Sequence, residues 1–221
     1  MWLRQPKATL FCPGIPGAGK TIIAAIVIEH LKTLQSSSVG VAYVYCNYKA
    51  QQEQDSTSLL AAILKQLVQA QPSLVELVEQ LLQQHVNRGT KPSSDEMFEA
   101  LRSVLAIYST VHVVIDALDE CRDHDGTRRQ FLSNLRTLQA KTDLSLMTTS
   151  RFIPDIVDEF SRAIMIEVRA SDEDVKQFVA GQIYRLPNCI RRESALQELV
   201  QNKIVEAAEG MYAFAQLSMP I

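Results

Sequence analysis

The sequence predicts an α/β fold, a mostly parallel sheet covered by helices on both faces. Three observations point there. Short apolar runs alternate along the chain with longer segments of helical periodicity. Those runs are close to continuous rather than alternating, as in strands buried on both faces. The first of them, Thr9-Leu10-Phe11-Cys12, feeds a glycine-rich octapeptide that leads straight into a helical run, Ile22 to Leu34.

The remaining elements follow in order. Gln35-Ser36-Ser37-Ser38 is a polar break, and Val39 to Cys46 is the second strand. Asn47 to Asp55 reads as a polar loop. Three helical patterns come next. Leu59, Leu60, Ile63, Leu64, Leu67 and Val68 mark the first, with Ser56 or Thr57 as cap. Pro72 opens the second, which carries Leu74, Leu77, Val78, Leu81 and Leu82. Ser93-Ser94-Asp95-Glu96 opens the third, with Phe98, Leu101, Val104 and Leu105. Their apolar stripes predict packing on the sheet and on each other. The third strand is Val111 to Ile115, followed by an acidic loop from Asp116 to Gly126 and a helix from about Arg128 to Ala140. The fourth strand is Leu144 to Thr149. A short helix around Pro154 to Phe160 leads to a fifth strand, Ala163 to Val168. Beyond it the pattern is helical only: a capped helix from Ser171 to about Tyr184, a break at Pro187, a helix from Arg192 to about Ala208, and an apolar helical start from Gly210 to Ile221. Residues 1–168 are therefore expected to form the sheet domain. Residues 169–221 are too few for a core of their own and read as the start of a helical subdomain. The apolar end Met219-Pro220-Ile221 suggests a fragment of a longer protein.

Composition narrows the function class. The chain has 221 residues, 47% hydrophobic and 21% charged, so it can bury about 70% of its unfolded surface without disulfide staples. Its formal net charge of −3 argues against nucleic-acid or anionic-membrane binding by the whole surface. Cys12, Cys46, Cys121 and Cys189 lie far apart with no C-x-x-C pair, which disfavours a metal site or disulfide framework and suits the cytoplasm. Cys12 and Cys46 read as small strand residues of the core. The N-terminus has no signal-peptide pattern, and the longest apolar run, Ile22 to Ile28, is far short of the ~18 residues that read as a membrane span. His30, His85, His112 and His124 show no metal-ligand spacing and read as incidental.

The chemistry lies in two motifs. Gly14-Ile15-Pro16-Gly17-Ala18-Gly19-Lys20-Thr21 is a full match to the phosphate-binding pattern G-x-x-x-x-G-K-[ST], and it names nucleoside triphosphates as the ligand class. Gly14, Gly17 and Gly19 are expected to take positive φ and let the backbone approach an anion. Successive N–H groups would then form a nest, reinforced by the helix dipole. Lys20 supplies a charge for the β- and γ-phosphates, and the Thr21 hydroxyl can join a Mg2+ shell. Pro16 stiffens the loop. The second motif is Val111-His112-Val113-Val114-Ile115-Asp116-Ala117-Leu118-Asp119-Glu120, an apolar strand delivering carboxylates. Asp116 can hold Mg2+ through water. Asp119 and Glu120 are candidates to orient or deprotonate an attacking water.

Together these motifs resemble the NACHT class of signal-transducing P-loop ATPases (the STAND group), and in particular the fungal proteins with a nephrocystin-type N-terminal NACHT module. Ala117 matches the small residue after the metal-binding aspartate of the Walker B segment. Met147-Thr148-Thr149-Ser150-Arg151 is similar to the family's sensor strand, and Phe152-Ile153-Pro154-Asp155-Ile156 after it also fits. Ile204 to Tyr212 is similar to the entry to the helical subdomain. The resemblance implies a P-loop NTPase three-layer αβα sandwich with a five-stranded sheet in the order 5-1-4-3-2. It implies that Arg151 reaches toward the γ-phosphate, as a sensor or as a stabiliser of transition-state charge. The implied activity is binding of Mg2+ with ATP (or ADP) and slow ATP hydrolysis that drives a conformational switch. The alternatives are a non-hydrolysing assembly module or an inactive fragment. A P-loop small-molecule kinase is weaker, because the tail shows no acceptor-binding lid. No N-K-x-D motif is present, which favours ATP over GTP. The implied partners are the nucleotide and other domains of a larger receptor, an N-terminal effector and C-terminal ankyrin or WD40 repeats, with a homo-oligomer also open.

Overall fold

The computed structural model describes residues 2–51, 53–123, 125–208 and 211. His124 and the expected helical start from Gly210 to Ile221 lie outside the described residues, apart from Met211. Five parallel strands form one sheet: β1 (Thr9–Pro13), β2 (Val39–Tyr45), β3 (Thr110–Asp116), β4 (Leu144–Ser150) and β5 (Ile164–Met165), in the order β2-β3-β4-β1-β5. Read from the other edge, that is the 5-1-4-3-2 order the resemblance implied. The helices are α1 (Lys20–Leu34), α2 (Ser56–Ala70), α3 (Val75–Arg88), α4 (Ser94–Leu105), α5 (Thr127–Lys141), α6 (Pro154–Glu159), α7 (Asp172–Gln182), α8 (Asn188–Arg191) and α9 (Ser194–Ala208).

Strand alternation sorts the core into two layers. Leu10, Cys12, Val41, Val114 and Met147 face α1, where Ala24, Ile28 and Leu31 are buried with Trp2. Their neighbours Phe11, Ala42, Val44, Val113, Ile115 and Leu146 face the other way, into a larger cluster with α2, α4 and α5. In the larger layer Leu60, Ile63, Leu67, Leu101, Phe131 and Leu135 are each essentially inaccessible. The stripes expected on α2 and α4 pack as read. That of α3 packs only in part: Leu74 and Val78 are buried, whereas Leu77 and Leu82 are about half exposed. The reason is its place in the fold, since α3 lies against α4, whereas α4 is covered by both α2 and α3.

Element boundaries differ where side chains outside the apolar pattern decide them. The α2 cap is Asp55, whose carboxylate accepts the Ser58 N–H at 2.7 Å, not Ser56 or Thr57. The α4 cap is a capping box between Ser93 and Glu96, within the segment expected to open that helix. Cys46 falls one residue past β2. Regular β5 is two residues long, shorter than Ala163 to Val168. Single bonds carry the edge further, with Ile166 and Val168 N–H donating to Phe11 and Pro13 carbonyls at 2.9 and 2.7 Å. The tail opens with α7, capped by Ser171, and α9 starts at Ser194 rather than Arg192. Ala170, Val175, Val179, Leu186 and Ala208 are buried there in a small cluster of their own.

Candidate functional site

The parallel sheet brings the carboxyl ends of β1, β3 and β4 side by side, and both motifs leave the sheet at that edge. The loop after β1 is anchored by the Gly14 N–H on the Ser150 carbonyl at 3.0 Å. Gly17 and Gly19 take φ of 75° and 94°, the left-handed region the sequence suggests for them. Gly14 does not. Its glycine is required by packing: a Cβ there would stand 2.3 Å from the Val168 carbonyl oxygen. The first glycine of the motif therefore serves the seam with the fifth strand, not the anion.

Gly19 is the N-cap of α1 and offers no side chain to its first turn, so those N–H groups are not consumed by a side-chain cap. Lys20 Nζ donates to the carbonyls of Gly14 and Ile15 at 2.8 and 2.9 Å, tying the loop across itself. An ammonium has three N–H donors, so one remains. Burial pulls the Lys20 pKa below its ordinary value, and Asp119 and Asp116 oppose that.

Asp116 ends β3 buried, and its two oxygens point to different elements. Oδ2 accepts the Thr21 hydroxyl at 2.8 Å, and Oδ1 accepts the Thr149 hydroxyl at 2.6 Å. Thr149 in turn accepts the Ala117 N–H at 2.9 Å. Thr149 is fully buried and is a site residue that the motif reading leaves without a role. Alternation could have found it. Asp116 shares parity with Val114, Thr149 with Met147, and both of those face α1. Ala117 sits at φ 53°, a left-handed conformation that costs any residue with a Cβ.

The outer acids are engaged otherwise. Asp119 accepts the Arg151 backbone N–H at 3.0 Å and its Nε at 2.5 Å, so the two candidate catalytic groups form an ion pair. The Asp119 side chain is 4% exposed and that of Arg151 52%, so the aspartate is the inner partner. Glu120 turns to the loop after β2: its carboxylate accepts the Tyr48 N–H at 3.1 Å, and its carbonyl accepts the Gln51 amide at 2.9 Å. The structure thus brings Lys20, Thr21, Asp116, Asp119 and Arg151 to one edge, with Glu120 facing the β2 loop.

The donor set suits a hard divalent cation that arrives with phosphate. A carboxylate and a hydroxyl are oxygen ligands of the kind Mg2+ takes, with water and phosphate completing its shell. Among the described residues no cluster of three or more His, Cys, Asp or Glu could hold a metal unaided. A cavity of about 880 Å3 lies elsewhere. Thr9, Arg129, Arg136, Gln139, Glu159 and Ile164 are among its walls, and it touches no residue of the phosphate-binding loop. None of the helices described is long and apolar enough to cross a membrane.

A five-stranded parallel sheet with this order, helices on both faces and a G-x-x-x-x-G-K-T loop between β1 and α1 defines the P-loop NTPase fold. The family model described as Nephrocystin 3, N-terminal, matches residues 1–151, and the chain belongs to that family. No curated protein sequence matches the chain significantly. Among solved structures it is similar to a Walker-type ATPase of Pyrococcus abyssi (TM-score 0.55, 13% identity, covering 96% of this chain and 61% of that one). It is also similar to the Drosophila ORC bound to DNA (0.54, 16%, 96% and 49%). A third is the Aeropyrum pernix ORC1 protein in complex with DNA (0.53, 19%, 94% and 56%). At these identities the likeness is one of fold. The chain spans about half of the solved chains it matches.

Proposed function

We propose that this chain is the nucleotide-binding core of a NACHT-type switch that binds ATP with Mg2+ and hydrolyses it slowly. The observation that carries the reading is the hydroxyl–carboxylate–hydroxyl chain Thr21–Asp116–Thr149, which joins the phosphate loop to the acidic strand. The loop N–H groups and Lys20 would bind the phosphates, and Thr21 and Asp116 would hold the metal, which supplies neutralisation of phosphate charge. Residues 1–168 form the nucleotide domain in this reading, and 169–221 begin a helical subdomain. The fuller receptor would add an effector and repeats, in the cytoplasm. DNA, which two of the similar structures hold, is a weaker partner here, given fold-level likeness alone and a net charge of −3.

Slow turnover follows from the pairings of the outer acids. Asp119 must leave Arg151, or Glu120 must leave Tyr48, before either can act on a water. The same pairings favour a second reading, a module in which nucleotide is a structural ligand. Phosphate release at saturating Mg-ATP separates them. The first reading expects measurable release that falls in Asp119→Asn or Glu120→Gln while binding by calorimetry persists. Release at background in the parent leaves the second reading. An absence of heat on titrating Mg-ATP into the parent overturns both.

A further inference from the structure

The cavity away from the phosphate loop has walls of opposite charge. It opens between α5 and α6, beside the starts of β1 and β5, and encloses about 880 Å3. Sites that enclose a small molecule fall in the range of about 300–1,000 Å3. Its floor is apolar and closed, with Leu132, Leu146, Ile156 and Phe160 each 4% exposed or less. Its α5 side carries Arg128, Arg129 and Arg136, and its α6 side Asp155, Asp158 and Glu159. Lys7 and Arg162 add cations from the turns that enter β1 and β5, and Asp123 adds a carboxylate before α5. A second recess of about 500 Å3 shares Arg129, Arg136 and Glu159 and continues along α5 to Lys141. Arg136 pairs with Glu159 at 2.6 Å, and Arg128 with Asp123 at 2.8 Å. Arg129, Arg162, Asp155 and Asp158 are exposed and form no ion pair among the described residues. Arg128 is the unusual member. It is 8% exposed, and one oxygen of Asp123 is the acceptor its side chain meets among the described residues. A guanidinium has five N–H donors, and a buried charge is costly unless they are accepted.

We propose that this cavity binds a phosphorylated sugar or polyol, with its phosphates over α5 and its hydroxyls toward α6. The fork of a guanidinium matches two phosphate oxygens at once, and Arg128, Arg129 and Arg136 line one wall. Ionised carboxylates only accept hydrogen bonds, so Asp155 and Asp158 repel a phosphate and suit a hydroxyl. A bare polyphosphate would meet the acidic wall. An uncharged sugar would leave the arginines without an anion. A ligand with both groups answers both walls. Phosphate oxygens would replace the carboxylates of Asp123 and Glu159 on their arginines and accept the donors that Arg128 has to spare. The second recess gives a further phosphate a place beside Arg129 and Lys141, with the hydroxyls of Ser133 and Thr137 alongside. No residue of the phosphate-binding loop lines either space, so this site does not depend on the nucleotide reading.

The test titrates fructose 1,6-bisphosphate and ribose 5-phosphate into the full chain by calorimetry, without Mg2+. Saturable one-to-one binding of at least one is expected, with slowed amide exchange across residues 128–139 and 155–164. Binding of neither, or exchange protection confined to residues 14–21, overturns the site. The double variant Arg129→Ala with Arg162→Ala alters two exposed side chains and leaves the core intact. It should weaken the sugar phosphate by about tenfold or more, the scale of a hydrogen bond to a charged group, and leave Mg-ATP affinity unchanged. The exposed pair Lys65→Ala with Arg192→Ala removes the same charge outside the cavity and should change neither. Equal weakening by the two double variants would reduce the effect to net charge and overturn the site. Asp155→Ala with Asp158→Ala decides the polyol half by sign. Weaker binding is expected as hydroxyl acceptors are lost; tighter binding overturns that half, because the acids would then only repel. Citrate bound as tightly as the sugar phosphates would overturn the choice of phosphate. Loss of Mg-ATP binding in the parent would strike the proposed function and leave these results standing.

Discussion

The two halves of the candidate site hold their carboxylates with different chemistry. In the inner half Asp116 accepts two hydroxyls, from Thr21 and Thr149. In the outer half Asp119 accepts a guanidinium and a backbone N–H from Arg151, and Glu120 accepts a backbone N–H from Tyr48. A hydroxyl orients a carboxylate and leaves its charge intact, whereas a guanidinium beside it cancels that charge. Under the proposed function the inner half is ready for a cation, and the outer half has to exchange partners before it can do chemistry. Binding and turnover are expected to respond to different residues.

The largest expected effect breaks the inner half at its cation. Lys20→Ala should cost on the order of 2–5 kcal/mol in Mg-ATP binding by calorimetry, the range for truncating one partner of a close charged pair. Equal binding by parent and variant would end the proposed function. Thr149→Val should come next. It keeps the shape and leaves the Asp116 oxygen and the Ala117 N–H without their partner, a loss of about 1–3 kcal/mol in urea unfolding. A neutral result would mean that the inner carboxylate needs no positioning. Arg151→Ala should be milder for stability, about 1 kcal/mol or less, because the arginine is half exposed and its backbone N–H still reaches Asp119. Its signature is a change in phosphate release at unchanged Mg-ATP affinity; a variant that loses affinity instead would move Arg151 into the binding half. The smallest effect serves as a control outside both halves. Burial holds the His112 pKa below its usual value, and its Nδ1 has no hydrogen-bond partner. Above about pH 6.5 the ring is neutral in both folded and unfolded chains. As pH falls below that, the unfolded chain takes the proton first, so stability declines through the folded-state pKa. His112→Phe should flatten this slope in urea titrations at pH 5.5 and 7.5, with Mg-ATP affinity at pH 7.5 unchanged.

Much of the fold was legible because it depends on local periodicity. The apolar runs at Thr9, Val39, Val111 and Leu144 are strands within a residue or so, since continuous burial leaves a strong one-dimensional pattern. The fifth strand was less legible because an edge strand is held by single bonds that leave no such pattern. The half-exposed Leu77 and Leu82 of α3 follow from which neighbour a helix receives, and periodicity carries no information about that. In the site, Lys20, Thr21 and Asp116 were readable from motif spacing. The pairing of Asp119 with Arg151 spans 32 positions, and that of Glu120 with Tyr48 spans 72. Which outer acid meets which partner is set by strand order and loop path.

Chemical identity and local conformation were determined by the sequence alone: a phosphate-binding octapeptide between a strand and a helix, an aspartate at a strand's carboxyl end, and glycines at 17 and 19 where the backbone turns left-handed. These are short-range properties, fixed by residues within one turn of each other. The tertiary structure decided what required distant segments to meet. Gly14 is a glycine because the Val168 carbonyl oxygen, far along the chain, lies 2.3 Å from where its Cβ would be. Thr149 matters because β4 lies beside β3, and Tyr48 meets Glu120 because β2 does. Contacts of that kind depend on how the strands are ordered, and strand order arises only when the whole sheet assembles.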